Sequence, residues 1–194
     1  MKKVILATTL ALMTASSFAA SDTSGFRVGG GFGSDIGNSS VSEKYGTETT
    51  LAVEGGYDFN SIFAVNVKAG GTNYTHYKNQ KDKKGENIGT MYELAVEAEA
   101  GYTFVTDSGL SLKPYVALGV VGYDKKSSEA LALSKDSKGV YAAGRGAAGV
   151  RMTLDNGVYV DGRIQATDFS GHGTKLDGKD QLLNQGMLTV GYKF

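Results

Sequence analysis

From residue 20 onward the dominant pattern is strict alternation of apolar and polar residues, the period of a β-strand with two unlike faces. Between Tyr92 and Phe104, the residues Tyr92, Leu94, Val96, Ala98, Ala100, Tyr102 and Phe104 share one face, while Glu93, Glu97, Glu99 and Thr103 share the other. Seven more segments repeat it: Phe26, Val28 and Phe32; Leu51, Val53, Tyr57 and Phe59; Phe63, Val65 and Val67; Leu112, Val116, Leu118 and Val120; Val140, Val150, Met152 and Leu154; Val158, Val160 and Ile164; Leu188, Val190, Tyr192 and Phe194. Each is about long enough to cross a bilayer at a tilt, which takes ~9–11 residues. The connections alternate in length. Phe59 to Ile62, Val105 to Gly109 and Asp155 to Gly157 are tight, whereas residues 34–48, 75–89, 124–138 and 168–181 are long, polar and charged.

Three short turns and four long loops make eight strands with both ends on one side. The pattern therefore predicts an all-β fold: a closed antiparallel eight-stranded transmembrane β-barrel with short periplasmic turns and four long extracellular loops. Phe26, Tyr57, Phe59, Phe63, Tyr102, Phe104, Tyr192 and Phe194 would all lie at the short-turn end as a one-sided aromatic girdle. The alternative of a soluble periplasmic barrel would need a partner to cover its outward valines and leucines.

Composition changes the picture in two places. The sequence has 28 Gly and one Pro, too little Pro for a disordered linker, so inward glycines such as Gly29, Gly31, Gly56, Gly70 and Gly149 are expected to make room in a narrow lumen. There are no cysteines, which excludes disulfides and thiolate chemistry, and the 20 basic and 20 acidic residues argue against a nucleic-acid partner. Lys2 and Lys3, the apolar run from Val4 to about Met13, and Ser17-Phe18-Ala19 read as a secretory signal. Residues 1–19 are expected to be a cleaved signal peptide and residues 20–194 the barrel, with localisation in the outer membrane of a Gram-negative bacterium.

With apolar faces toward lipid, the inward set includes Arg27, Glu54, Asp58, Lys68, Glu93, Glu97, Glu99, Lys113, Arg145, Arg151, Asp161 and Arg163, a near-balanced charge network. A three-residue turn after Phe59 sets Glu54 opposite Lys68, and the turn at Asp155 sets Arg151 opposite Asp161. Buried charges cost several kcal/mol each unless paired, so balance suits a filled lumen, and a one-sign lining would better suit a selective pore. A narrow channel for ions or small solutes is the alternative reading.

The eight-segment layout, the strand Leu112-Lys113-Pro114-Tyr115-Val116-Ala117-Leu118-Gly119-Val120 and the ending Leu188 to Phe194 carry a resemblance. The mature chain resembles the small outer-membrane barrel families that include the outer-membrane protein A transmembrane domain, the opacity-type and the attachment-invasion-type proteins. That resemblance implies that Leu188, Val190, Tyr192 and Phe194 form the C-terminal signal read by the barrel-assembly machinery. It implies a location and a fold more than a task.

Other chemistry is weak. Gly144 to Gly149 matches G-x-G-x-x-G, but a phosphate cradle needs a helix after the glycines and here a strand follows. Asp168, Ser170 and His172 could suggest a lipid A-modifying hydrolase, yet neighbours ~7 Å apart on an extended chain cannot hydrogen-bond in series. His76 is the one other histidine. No catalytic, cofactor or metal site is expected. The loops around Lys78, Lys81, Lys83 and Lys84, and around Lys125, Lys126, Lys135 and Lys138, lean basic. The expected reading is a non-enzymatic, monomeric barrel serving envelope integrity or adhesion, in contact with outer-membrane lipids and lipopolysaccharide, with its loops available to a host or surface ligand.

Overall fold

The computed structural model describes residues 23–36, 45–77, 85–124, 141–169 and 182–194. They form β1 (Gly25–Asp35), β2 (Tyr45–Asp58), β3 (Phe63–Tyr77), β4 (Gly85–Gly101), β5 (Phe104–Val105), β6 (Ser111–Tyr123), β7 (Tyr141–Thr153), β8 (Val158–Asp168) and β9 (Leu182–Lys193). Every neighbour pairs antiparallel, β1 pairs with β9, and β4 pairs with β6, so the sheet closes on itself. The two-residue β5 continues β4 in the same register against β6. The barrel therefore has eight spans, one of them interrupted.

The interruption corrects the unbroken strand expected from Tyr92 to Phe104, and Pro114 explains it. Tyr102 donates its amide to the Pro114 carbonyl at 3.3 Å, but proline has no N–H with which to return the bond. The far side of the same segment stays tied down, since the Gly101 and Thr103 amides reach the carbonyls of Ile62 and Ser61, each at 2.9 Å.

All three tight turns hold three residues. Phe59 pairs with Phe63, Thr106 with Leu110 and Leu154 with Val158 through single backbone bonds of 2.8–2.9 Å. Gly109 (φ +80°) and Gly157 (φ +87°) take the left-handed position that ends such a turn. In the first turn, Asn60 Oδ1 instead accepts the amides of Ile62 and Phe63, both at 2.8 Å. These turns fix the expected registers: Glu54 faces Lys68, and Arg151 faces Asp161.

The registers also set the size of the barrel. Following paired residues once round the wall leads from Gly25 through Asp58, Ala64, Glu99, Ala117, Ala147, Gln165 and Gln185 to Asp35, ten residues along the starting strand. A stagger of that size on eight strands gives a tilt of about 40° and a lumen just wide enough to be filled by side chains.

At the other end the strands outrun the expected loop limits. β3 continues to Tyr77 and β4 starts at Gly85, so pairing enters the stretch expected to be loop from 75 to 89. β1 leaves β2 after Gly33 and Thr50, and β6 leaves β4 after Tyr123 and Glu93, so β2, β3 and β4 continue together beyond the rest of the wall. Val140, Ser170, His172 and the lysines of the second and third loops lie outside the described residues. Gly144 to Gly149 sits within β7, with no helix after it.

Candidate functional site

The outward positions are the apolar set of the alternation, and they are exposed: Leu118 at 73%, Leu51 at 65%, Val53 at 62%. The inward positions are the polar set and are buried: Arg27 at 0%, Glu97 and Glu99 at 1% each. A fold with its apolar side out and its charges in is inside-out relative to a soluble protein, and it is stable where the outer medium is hydrocarbon.

The lumen network has three levels. Nearest the turns, Asp58 receives Arg27 Nε at 3.1 Å, Lys193 Nζ at 2.9 Å and Lys113 Nζ at 3.5 Å. Just above, Glu99 takes Arg151 in a two-pronged pair at 3.0 and 2.8 Å and Lys113 at 3.0 Å, while Arg151 Nε stands 3.0 Å from Asp161. Asn66 links the carboxylate to Arg27, accepting from the guanidinium at 2.8 Å and donating to Glu99 at 3.0 Å. Lys68 lies 2.5 Å from Glu54, directly across the β2–β3 hairpin.

At mid-height Arg163 clasps Glu97 with two bonds of 2.7 Å. From there an amide chain crosses the wall's inner surface: Gln165 accepts from Arg163 at 2.6 Å, donates to Gln185 at 2.9 Å, and Gln185 donates to Thr50 at 3.0 Å. At the third level Arg145 grips Glu93 with two bonds of 2.8 Å and donates to Thr167 at 2.9 Å. Fork-to-fork arginine–carboxylate pairs of this kind combine charge with fixed orientation. Among the described residues, seven lumen cations, Arg27, Lys68, Lys113, Arg145, Arg151, Arg163 and Lys193, thus pair with six carboxylates, Glu54, Asp58, Glu93, Glu97, Glu99 and Asp161, while a seventh inward carboxylate, Asp35 at the loop end, stands outside these pairs.

The lumen also holds residues that the alternation of apolar positions did not single out. Tyr115 donates to Asp161 Oδ1 at 2.8 Å and Tyr159 to Glu54 Oε1 at 2.6 Å, adding a neutral donor to each carboxylate. Parity could have found both, because Tyr115 stands two residues from Lys113 and Tyr159 two residues from Asp161. Each ring needs a bare neighbour. A Cβ on Gly149 would come within 2.7 Å of the Tyr115 hydroxyl, and a Cβ on Gly29 would collide with the Tyr159 hydroxyl. Gly56 has the same inward setting, where an added Cβ would come within 2.5 Å of Asn66 Oδ1 and 2.9 Å of Arg27 Nη2.

At the loop end the lumen also holds apolar side chains, outside the charged set read from the sequence. Met91, Tyr123, Phe169 and Leu183 are inward and buried there, with the Tyr123 and Phe169 rings 5.6 Å apart. An apolar layer thus lies between the Arg145–Glu93 pair and the loops. Asp168 sits on the opposite, exposed face at the end of β8. Among the described residues no group of three or more His, Cys, Asp or Glu is arranged to hold a metal ion.

A family model described as the outer membrane protein beta-barrel domain matches residues 5–194. The chain belongs to that family. It is an outer-membrane β-barrel, and the exposed valines and leucines are its lipid-facing surface. Among solved structures, the Yersinia pestis outer membrane protein Ail in a phospholipid bilayer nanodisc is 16% identical, with 88% of this chain and 99% of that chain covered and a TM-score of 0.50. The N-terminal β-barrel domain of Pseudomonas aeruginosa OprF is 15% identical, with 88% and 98% covered and a TM-score of 0.49. The likeness to Ail extends to the fold. A search of curated proteins returned no match.

For an outer-membrane barrel the lipid-facing wall has its own prediction. Leu118 lies near the middle of β6 and is 73% exposed, so Leu118→Arg should destabilise the folded barrel in lipid vesicles by roughly 2–4 kcal/mol, the cost of a cation near the midplane. Equilibrium unfolding in denaturant would measure it. An unchanged midpoint would mean that this face does not meet hydrocarbon.

The four residues of the expected assembly signal all point outward from β9, with Leu188 at 40%, Val190 at 51%, Tyr192 at 43% and Phe194 at 72% exposure. Phe194 packs at 5.0 Å from Tyr192 and at 6.4 Å from Phe26, and Tyr57–Phe59 and Tyr102–Phe104 form further edge contacts of 5.3 and 5.0 Å. These rings form the girdle at the turn end.

Proposed function

We propose that this outer-membrane barrel is a non-enzymatic surface protein whose lumen is a structural plug and whose work is done by what it displays outside: adhesion or another surface interaction, together with support of the envelope. The observation that carries this reading is the combination of Arg163–Glu97 and Arg145–Glu93, both two-pronged, with the apolar layer of Met91, Tyr123, Phe169 and Leu183 above them. A solute entering from the loop side would have to cross that layer and then break paired charges. An ion finds little help there, because Arg145, Glu93, Arg163 and Glu97 already hold one another in opposite-charge pairs.

On this reading the basic loops meet the phosphates of lipopolysaccharide or an anionic surface polymer, the outward C-terminal residues engage the assembly machinery, residues 1–19 direct export and are removed, and the barrel works as a monomer. The test is expression in a non-adherent Gram-negative host. Protein purified from the outer-membrane fraction should begin at Ala20, shift on unboiled gels, and leave planar bilayers at baseline conductance. Cells should gain surface binding that is lost when residues 78–84 and 125–138 are replaced by short turns. Steady single-channel currents altered by Arg145→Ala would replace this reading with the channel. Modified lipid A that depends on Ser170 or His172 would replace it with the hydrolase.

A further inference from the structure

The first and last strands of the barrel meet on one carboxylate. Asp58 ends β2, and its nearest cations come from β1 (Arg27, 3.1 Å) and β9 (Lys193, 2.9 Å), followed by β6 (Lys113, 3.5 Å) and β7 (Arg151, 3.8 Å). β2 and β9 are not hydrogen-bonded to each other, because β1 lies between them and pairs with both. Lys193 therefore reaches across β1 to Asp58, and its ammonium also donates to the Thr23 carbonyl, 2.5 Å away, just before β1 begins. The alternation places Tyr192 and Phe194 outward, so the lysine between them must point in.

We propose that Lys193 is the closure latch of the barrel: an inward ammonium on the last strand that completes the Asp58 junction only when β9 has paired with β1, and that clamps β1 between its two neighbours. The seam needs such a device. Its inward positions include Gly29, Gly31 and Gly33 on β1 and Gly191 on β9, which offer no side chains to hold the strands together. The seam also joins residues far apart in the chain, so it bears the largest loop-closure cost of any pairing in the wall, whereas the hairpins close locally. At the turn end of the seam the backbone contributes the Phe194 amide to the Phe26 carbonyl at 2.9 Å, whereas the Lys193 amide turns the other way, to the Gly157 carbonyl beside β8 at 2.8 Å. Among the described residues Lys193 adds the one ion pair that spans the seam strand itself, at the opposite end from the neutral Gln185–Thr50 bond. Its side chain is 18% exposed, against 5% for Asp58, so water and salt reach the latch from the turn side.

The test is amide exchange of the full-length folded protein in phosphatidylcholine vesicles, comparing Lys193→Met and Lys193→Arg with the unaltered chain. Lys193→Met should speed exchange at Phe194 and in the Arg27–Gly29 segment by roughly tenfold, leaving the β3–β4 amides of Val67 and Val96 unchanged. Lys193→Arg should behave like the unaltered protein. Equal seam protection in all three would overturn the proposal, as would equal loss in both variants, which would make the shape of the lysine rather than its charge responsible. If Lys193→Met does not fold, the unaltered protein and Lys193→Gln are compared in dilute buffer and in about 1 M salt, where the Debye length falls to about 3 Å. Salt should speed seam exchange several-fold in the unaltered protein alone; the same response in both, or none in either, would overturn the latch.

Discussion

Glu97→Leu is expected to destabilise the barrel by about 3–5 kcal/mol, and the double change Glu97→Leu with Arg163→Met is expected to recover most of that loss. Both side chains are 1% exposed, and Glu97 is the carboxylate that meets Arg163 among the described residues, through two bonds of 2.7 Å. Removing the acid alone leaves a guanidinium in a closed lumen with Gln165 as its remaining hydrogen-bond acceptor there. Gln165 is neutral and cannot offset the charge. Removing both charges leaves an apolar pair of similar volume, in a lumen that already holds Met187 and Ala95 among its buried residues. A double-mutant cycle by reversible denaturant unfolding in vesicles measures the coupling. Additive losses would mean that the two residues do not act as a pair, and the plug reading would lose its main support.

The same pair shows how the lumen's contents can be read from sequence. The face of each residue follows from the period of two, because a single apolar-out assignment fixes the parity of a whole strand. The tight turns carry parity from one strand to the next, so Glu54 opposite Lys68 and Arg151 opposite Asp161 were legible. Pairings across the lumen were not. Glu97 on β4 and Arg163 on β8 are not on neighbouring strands, and their meeting depends on the ten-residue stagger of the whole wall. Nor does alternation reveal an inward apolar residue such as Phe169 or Leu183 at a strand end. There the outward neighbour turns polar, as at Asp168, and the contrast that marks the face disappears. Pro114 was visible, but the missing return bond to Tyr102 matters only once the register puts the two residues opposite each other.

Gly191→Val is expected to prevent formation of the closed barrel, with a loss of at least about 3 kcal/mol, because the obstacle includes backbone. A Cβ at Gly191 would run into the Val28 carbonyl of β1 and, on its other side, into the ring of Tyr159. The ring could move, but the carbonyl belongs to the strand with which β9 must pair. Gly29 faces the same ring, yet there the first obstacle is the Tyr159 hydroxyl, with the Val190 carbonyl and Thr189 Cγ2 each at 3.0 Å. The two positions should therefore respond differently to Tyr159→Ala. Removing the ring should restore much of the stability lost by Gly29→Ala and little of that lost by Gly191→Val. Heat-modifiable gel migration after refolding into vesicles, read as the fraction of shifted band, separates the two cases. Full rescue of Gly191→Val by Tyr159→Ala would show that the ring, and not the approach of β1, makes glycine necessary at the seam.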